Sequence, residues 1–471
     1  MTLIPLAILL YIPFVYASQP SLNGTSIPTL DVSDCPSCSD TRTLWDILWS
    51  CAATLFACAW TAIHPNIPGM KEGKLAMTSR RLLIMVMALI APELMITWAA
   101  RQFFSARAAA KKFNDEFGSQ HAQANGDHGD IAESTATLLH EISESDEGSA
   151  PKAAVRNFRE WTVTHGFFAW MGGFMLYVND KPRATLDPDE LQTFIREGSV
   201  DMPVITEAEI ADRSKGDGLS KGIAILQLVW FVLQLVARYA QNLPITLLEI
   251  DTLAVAALTC IAYRIWWKKP KDVGCPYTVH WKTTASLPRK LTYEYVDNIT
   301  YILARCDCCP YFVYLVYPIT SLMGIEVTIS PRAARSRRVP SLGGYGEYHG
   351  VIITLIGCFC GMVFGGIHCL GWNFLFHRQT EQLLWRAASL MIMCSPVPIL
   401  LSSSFVSSGM SNSSSVLRDI IGISLFVASI ISILIYITAR VTLIVLLILS
   451  PQSLPSGVYV TVAWTKFFPH L

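Results

Sequence analysis

Charge is what this sequence has least of. Only 15% of its 471 residues are Asp, Glu, Lys or Arg, against about a quarter in an ordinary soluble domain. The 36 basic and 36 acidic residues cancel, so no surplus of either sign draws the chain toward nucleic acid. RRM, zinc-finger and P-loop patterns are missing. HxxxH, HExxH and GxSxG are missing too, and with them the spacings that mark zinc and serine hydrolases. No metal or cofactor is expected on these grounds. There is also no internal repeat, which counts against a transporter built from matched halves.

What replaces charge is a set of long apolar runs. The chain is 52% apolar, with a mean hydropathy of +0.39. A helix needs about 20 apolar residues to cross the hydrocarbon core. Runs of that kind fall at 44–63, 223–240, 245–267, 350–376, 383–403 and 419–449. The last is long enough to tilt, or to cross and then follow the interface from Arg440 onward. Three weaker runs each carry a break: Pro92-Glu93 within 82–100, His165 and Gly172-Gly173 within 161–178, and Pro318 with Gly324 within 311–329. The reading is an all-α polytopic transmembrane helix bundle with six to nine spans, a small cytoplasmic helical cap and disordered loops.

The start reads as a signal peptide, 1–18, apolar from Leu3 to Tyr16 with small residues at Val15 and Ala17. It lacks the usual basic residues before the apolar run, so an uncleaved anchor is the alternative. Either way 19–43 is lumenal, in the membranes between endoplasmic reticulum and cell surface. That segment carries a glycosylation sequon at Asn23. It also holds Cys35 and Cys38, a candidate local disulfide or two free thiols.

The organisation expected is a first membrane region at 44–104, then a disordered acidic loop at 105–160. Within that loop, residues 115–150 hold nine Asp or Glu and no Lys or Arg, with Ser143 and Ser145 in an acidic setting suited to phosphorylation. An interfacial segment and helical cap follow at 161–222, with helix starts at Asp187-Pro188-Asp189-Glu190 and Thr206-Glu207-Ala208-Glu209. A transmembrane hairpin spans 223–267. A basic loop spans 268–349, with the segment 311–329 and the arginines 332, 335, 337 and 338. A C-terminal bundle spans 350–471. Basic residues after 44–63 and 245–267 put those helix ends in the cytoplasm. The basic residues after 82–100 conflict with a crossing there, so either 82–100 and 161–178 both span or both lie re-entrant. The second option suits a cytoplasmic acidic loop.

Three strings, His64-Pro65-Asn66-Ile67-Pro68-Gly69, Trp161-Thr162-Val163-Thr164-His165-Gly166-Phe167-Phe168 and Asp212-Arg213-Ser214-Lys215-Gly216-Asp217, resemble an uncharacterised family of fungal multi-pass integral membrane proteins. The tail at Phe467-Phe468-Pro469-His470 does too. The resemblance runs from about residue 44 to the end. It implies a fungal source and an all-helical fold, and it brings no activity and no functional residues.

Candidate site residues are polar groups in apolar runs, where ionisable side chains are functional candidates by default. Gly357, Gly361 and Gly365 recur every four residues and make a close-packing strip, with His368 one turn on. His368 is either a hydrogen-bonded core histidine or a proton relay or ligand contact, and the core reading weighs more. Gln227, Gln234, Arg238 and Gln241 share one helix face. The turn after them brings Glu249 and Asp251 toward Arg238, so an Arg238 pair with either is expected. Glu93 follows Pro92 at a backbone break of the kind found at transport sites. His165 is more readily structural than catalytic. Cys306, Cys308 and Cys309 are candidates for S-acylation beside the membrane. Expected partners are the lipid bilayer and cytoplasmic proteins, with no nucleic acid and an oligomeric state the residues leave open. The reading that weighs most is a non-catalytic scaffold or receptor-like protein. A transporter or channel for a small solute or lipid follows, and then an intramembrane lipid-modifying enzyme.

Overall fold

The computed structural model describes residues 41–69, 72–129, 159–215, 218–282, 285, 339, 342–346, 350–374, 376, 378–407 and 416–463. The signal segment, Asn23, Cys35, Cys38, Ser143, Ser145, Cys306, Cys308, Cys309, the 311–329 run and the arginines 332–338 lie outside them.

The first helix, α1 (Leu44–Ala62), starts where Thr43 and Asp46 cap each other's backbone N–H groups. After the His64–Gly69 string comes α2 (Lys74–Ile90), then α3 (Pro92–Gly129), with a bend of 116° between them. The bend falls at Ala91-Pro92, where proline has no N–H to continue the helical ladder. The run 82–100 is therefore a sharp corner rather than a straight crossing. Residues 105–129, read as part of a disordered loop, are instead the continuation of α3. Ala106, Ala109, Ala110, Phe113 and Phe117 recur at helical spacing and carry the buried face that the acidic composition obscured.

Short helices and a sheet make the cap. They are α4 (Val163–Trp170), strands β1 (Phe174–Val178) and β2 (Lys181–Leu186), and helices α5 (Pro188–Arg196) and α6 (Glu207–Arg213). Both α5 and α6 begin with reciprocal capping boxes, Asp187 with Glu190 and Thr206 with Glu209. The fold is thus mostly helical but not all-α. β1 pairs antiparallel with β2 and parallel with β3 (Tyr277–His280), in the order β2-β1-β3. The hairpin turns on Asn179 and Asp180, both at positive φ (48° and 57°). Two such residues between β-formers are a strong hairpin signal. Thus 161–178 contains one short helix and one strand. Phe113, Phe117, Trp161, Phe168, Phe174 and Trp281 fill the cap core, with the Phe113 and Trp161 rings stacked at 4.0 Å.

The remaining helices are α7 (Gly218–Ala240), α8 (Leu247–Ile265), α9 (Gly350–His368, then a 3-10 turn to Gly371), α10 (Gln379–Cys394), α11 (Pro396–Ser407) and α12 (Val416–Leu449). The stretch 419–449 stays one helix, and Arg440 points into the bundle instead of marking an interfacial turn. Among the described residues, five stretches are able by length and composition to cross a membrane: Leu44–Ala62, Lys221–Ala240, Gly350–Gly371, Gln379–Phe405 and Ile420–Leu449. The bent pair α2–α3 makes up to six. Helix α8, expected as a span, is not among the five, since it carries Glu249, Asp251 and Arg264. It is the helix that α1, α3 and α9 surround. Its small buried residues Ala254, Ala256 and Ala262 let those neighbours come close.

The small-residue strip on α9 meets three different partners. A methyl at Gly357 would press on Thr97 of α3 and one at Gly365 on the α10 backbone at Ser389 and Met393, whereas one at Gly361 would only touch Pro396 and Tyr436. The tightest approach joins cap to bundle: a methyl at Gly166 of α4 would overlap the backbone carbonyl of Ala106 on α3. Gly166→Ala is expected to lower stability by about 3 kcal/mol. Gly222→Ala, where nothing lies within 4 Å, should shift it by less than about 1 kcal/mol. Thermal unfolding of the two variants in the same detergent compares them directly.

Candidate functional site

Polar side chains gather at three levels of the bundle. The first is the junction with the cap. Lys269, just past the C-terminus of α8, is 4% exposed. Its ammonium donates to His64 O (2.5 Å), Gln102 Oε1 (2.8 Å) and Asn66 Oδ1 (3.2 Å). The rings of Trp98 and Trp266 flank it, each 5.3 Å away. Among the described residues no carboxylate pairs with it, and burial drives its pKa well below the usual lysine range. Gln102 in turn donates to Gly343 O at 2.6 Å, which also accepts from Trp98 Nε1 (3.0 Å) and Asn66 Nδ2 (3.1 Å). One carbonyl of the Gly-rich linker thus holds α3 and the His64–Gly69 string together. Gly344 follows at φ +87°, a conformation that glycine adopts without strain.

Beside this hub, Arg81 bridges Asp272 at 3.1 Å and donates to Trp60 O at 3.0 Å. Lys271 donates to Thr61 O at 2.9 Å. Burial, joined by the positive charges of Arg81 and Lys221 and opposed by Asp272, pushes the Lys271 amine down to about 8. His165 sits in the cap side of the junction. Its Nδ1 accepts from Thr162 N (3.1 Å), and its Nε2 meets Ile205 O at 3.0 Å. Both nitrogens are spent on backbone, and burial lowers its pKa.

The second level is the α2–α3 corner. Arg440 of α12 donates two hydrogen bonds to Ile90 O, the last carbonyl of α2, and its guanidinium carbon lies 3.6 Å from the Phe364 ring centre. This supplies the partner that a broken helix needs away from water. Glu93, in the first turn of α3, is 7% exposed, and its Oε2 has no hydrogen-bond partner. The Tyr436 hydroxyl faces it. Glu93 and Arg440 form no ion pair among the described residues.

The third level is the opposite end, at the N-termini of α1 and α8. The expected Arg238 pairs with Glu249 or Asp251 are not made. Arg238, 1% exposed, donates instead to the carbonyls of Pro244 (2.8 Å), Val458 (3.0 Å) and Val460 (2.8 Å). Glu249 takes Arg42 at 2.7 Å and caps α8 through Thr246 N. Asp251 takes His368, Oδ1 to Nε2 at 3.2 Å. Gln241 exchanges two hydrogen bonds with the backbone of Ala463, so the C-terminal segment is clasped by Arg42, Arg238 and Gln241. Of the expected polar ridge, Gln227 reaches across to Thr54 of α1 at 3.2 Å.

The structure therefore separates the expected site residues: His165 at the cap, Glu93 mid-bundle, and Arg238, Glu249, Asp251 and His368 at the far end. Lys269, Asn66, Gln102, Arg42, Tyr436 and Arg440 were not singled out from sequence. Lys269 was counted only as a topology charge, and Asn66 lay unread inside its string. Among the described residues no three His, Cys, Asp or Glu side chains gather to hold a metal ion. A cavity bounded by Leu247, Phe374, Phe376, Glu381, Leu446, Leu449 and Ser450 has a volume of about 10 Å³, room for one water at most.

Taken together these features define a largely helical protein with several helices able to cross a membrane, carrying a folded cap at one end. The chain belongs to a family of unknown function, DUF8562, whose profile matches residues 10–287 and 294–471. No curated protein and no solved structure matches it.

The lysine at the junction gives a pH prediction. Lys271 titrates near 8 when folded and near 10.4 when unfolded. Between those values the unfolded chain binds more protons, so stability rises with pH. Thermal midpoints from pH 8 to 10 should climb in the wild type. The climb should be reduced in Lys271→Met.

Proposed function

We propose that the protein is a non-catalytic membrane scaffold of receptor-like architecture, whose cytoplasmic cap binds protein partners. The supporting observation is helix α3. It begins at the buried corner in the bundle and runs 38 residues without a break into the cap core. A continuous helix transmits displacement between its ends, whereas a flexible linker does not. The junction through which it passes is closed by Lys269 and Gly343. The side follows from charge: Arg80, Arg81, Lys268, Lys269, Lys271 and, further along, Lys111 and Lys112 lie toward the cap, and cytoplasmic ends carry the basic excess. The opposite end, with Asn23 upstream, is then lumenal, in the secretory pathway.

A transporter or channel is the second reading, and Glu93 is the observation that favours it. A broken helix with a buried carboxylate in its first turn matches the way transporters build binding sites near the midplane. An enzyme acting on lipid has little left to carry it, since His165 and His368 are both engaged on both ring nitrogens.

Two experiments separate these readings. A biotin ligase inserted between residues 129 and 159 should label a reproducible set of cytoplasmic proteins. Charge reversal at the exposed residues Arg196 and Glu209 should thin that set. Labelling no richer than a membrane-anchored control would overturn the scaffold reading. For transport, Glu93→Gln keeps the size and removes the charge. If solute flux into vesicles reconstituted with the variant equals that of the wild type, the second reading ends.

A further inference from the structure

We propose that Asp251 and His368 form a proton-binding site inside the bundle, with one exchangeable proton held between Asp251 Oδ1 and His368 Nε2. A count of hydrogens leads there. His368 Nδ1 lies 2.8 Å from Phe364 O, and a carbonyl only accepts, so Nδ1 carries a hydrogen. The other ring nitrogen lies 3.2 Å from Asp251 Oδ1. A neutral imidazole has a single N–H, already spent on Phe364, and an ionised carboxylate has none. Two lone pairs would then face each other beside a ring that is 0% exposed. One additional proton removes the conflict. On Nε2 it makes an imidazolium–carboxylate pair; on Oδ1 it makes a carboxylic acid donating to neutral imidazole. Passage from the second form to the first breaks one O–H bond and makes one N–H bond. The pair's net charge stays zero.

The surroundings keep this a one-proton site. On α8 itself the neighbouring acid is Glu249, neutralised by Arg42 at 2.7 Å. From α1 comes Cys51, close to both acids. From α10 come Trp385, whose Nε1 donates to His368 O, and Arg386, which is held on Trp372 O at 2.9 Å beyond the 3-10 turn. Cys369 follows in the 3-10 turn. Arg238 of α7 is committed to the three backbone carbonyls of Pro244, Val458 and Val460. From α3 the charge is Glu93, which sits with Tyr436 and Cys360. Arg440 of α12 packs on Phe364, as the His368 ring does at 4.3 Å. The proton has a way in: the Asp251 side chain is 18% exposed, while His368 is sealed. Helix α8 is thus joined to α9 by a contact that exists only while the proton is bound. The site stands whether or not the cap has protein partners.

The test is nitrogen NMR of ¹⁵N-histidine-labelled full-length protein in nanodiscs, with the His368 signals assigned by their loss in His368→Gln. Infrared difference spectra of wild type against Asp251→Asn accompany it. Nδ1 is expected to be protonated. Nε2 is then either protonated, giving an imidazolium, or bare beside a carboxylic acid band that Asp251→Asn removes. In Asp251→Asn the new side-chain amide would donate a hydrogen in place of the proton, leaving Nε2 bare. A wild-type His368 with its hydrogen on Nε2 and a bare Nδ1 would overturn the proposal. So would a bare Nε2 with no acid band that the variant removes. Should Asp251→Asn fail to fold, Asp251→Glu replaces it and is expected to shift the acid band rather than remove it, and a wild-type His368 with a bare Nδ1 still overturns the proposal.

Discussion

A lysine amine buried with no carboxylate beside it among the described residues is costly to place in a protein interior, and Lys269 is such a group. Three carbonyl oxygens and two indole faces replace its water shell, and they come from separate parts of the chain. Each of those parts has to be in place for the others to be satisfied. The string His64-Pro65-Asn66 is held in its path by the lysine, Gln102 fixes α3, and Gly343 fixes the approach to α9. The bundle ends and the cap begins where this cluster sits. Its position sets the register of α3 for the corner at one end and the Gly166–Ala106 approach at the other.

The corner obeys the same demand in apolar surroundings. Breaking a helix frees carbonyls that lipid does not satisfy. Proline removes one donor from the problem, and Arg440 provides two for Ile90 O. Arginine suits the task because its planar fork reaches a carbonyl while its face lies flat on Phe364. Arg238 repeats the solution at the other end, serving carbonyls rather than a carboxylate. The charged residues of this bundle are mostly backbone caps, which explains why so few acids are needed to accompany them.

How much of this was legible beforehand differs by element. The long apolar helices were, since hydropathy reports them directly, and so were the starts at Asp187 and Thr206, because capping is a local matter. The hairpin was missed although Asn179-Asp180 marks it, because Phe174–Val178 lay at the end of a run scored for membrane crossing. Continuation of α3 past residue 105 was hidden by acidic composition, which outweighed the spacing of Phe113 and Phe117. Pairing among the polar residues was the least legible. Arg238 lies close in sequence to Glu249 and Asp251, but its partners Val458 and Val460 are 220 and 222 residues away. Arg42 and Arg440, which take the roles left open, belong to other parts of the chain. Local sequence has no means of ranking such distant partners.

The clasp at the far end has a consequence for how the chain is made. Arg42 N meets Tyr459 O, and its side chain meets Val458 O across 416 residues of sequence. Arg238 waits for the same segment. During synthesis these guanidinium groups exist long before their carbonyls do. Ribosomes add about 5–20 residues per second, so the interval is on the order of tens of seconds. Until then that end of the bundle stays open and its arginines must find temporary company in water or lipid headgroups. Closure therefore waits until residues 458–460 have been made, and a chain truncated before residue 458 would lack the carbonyls that seal this end.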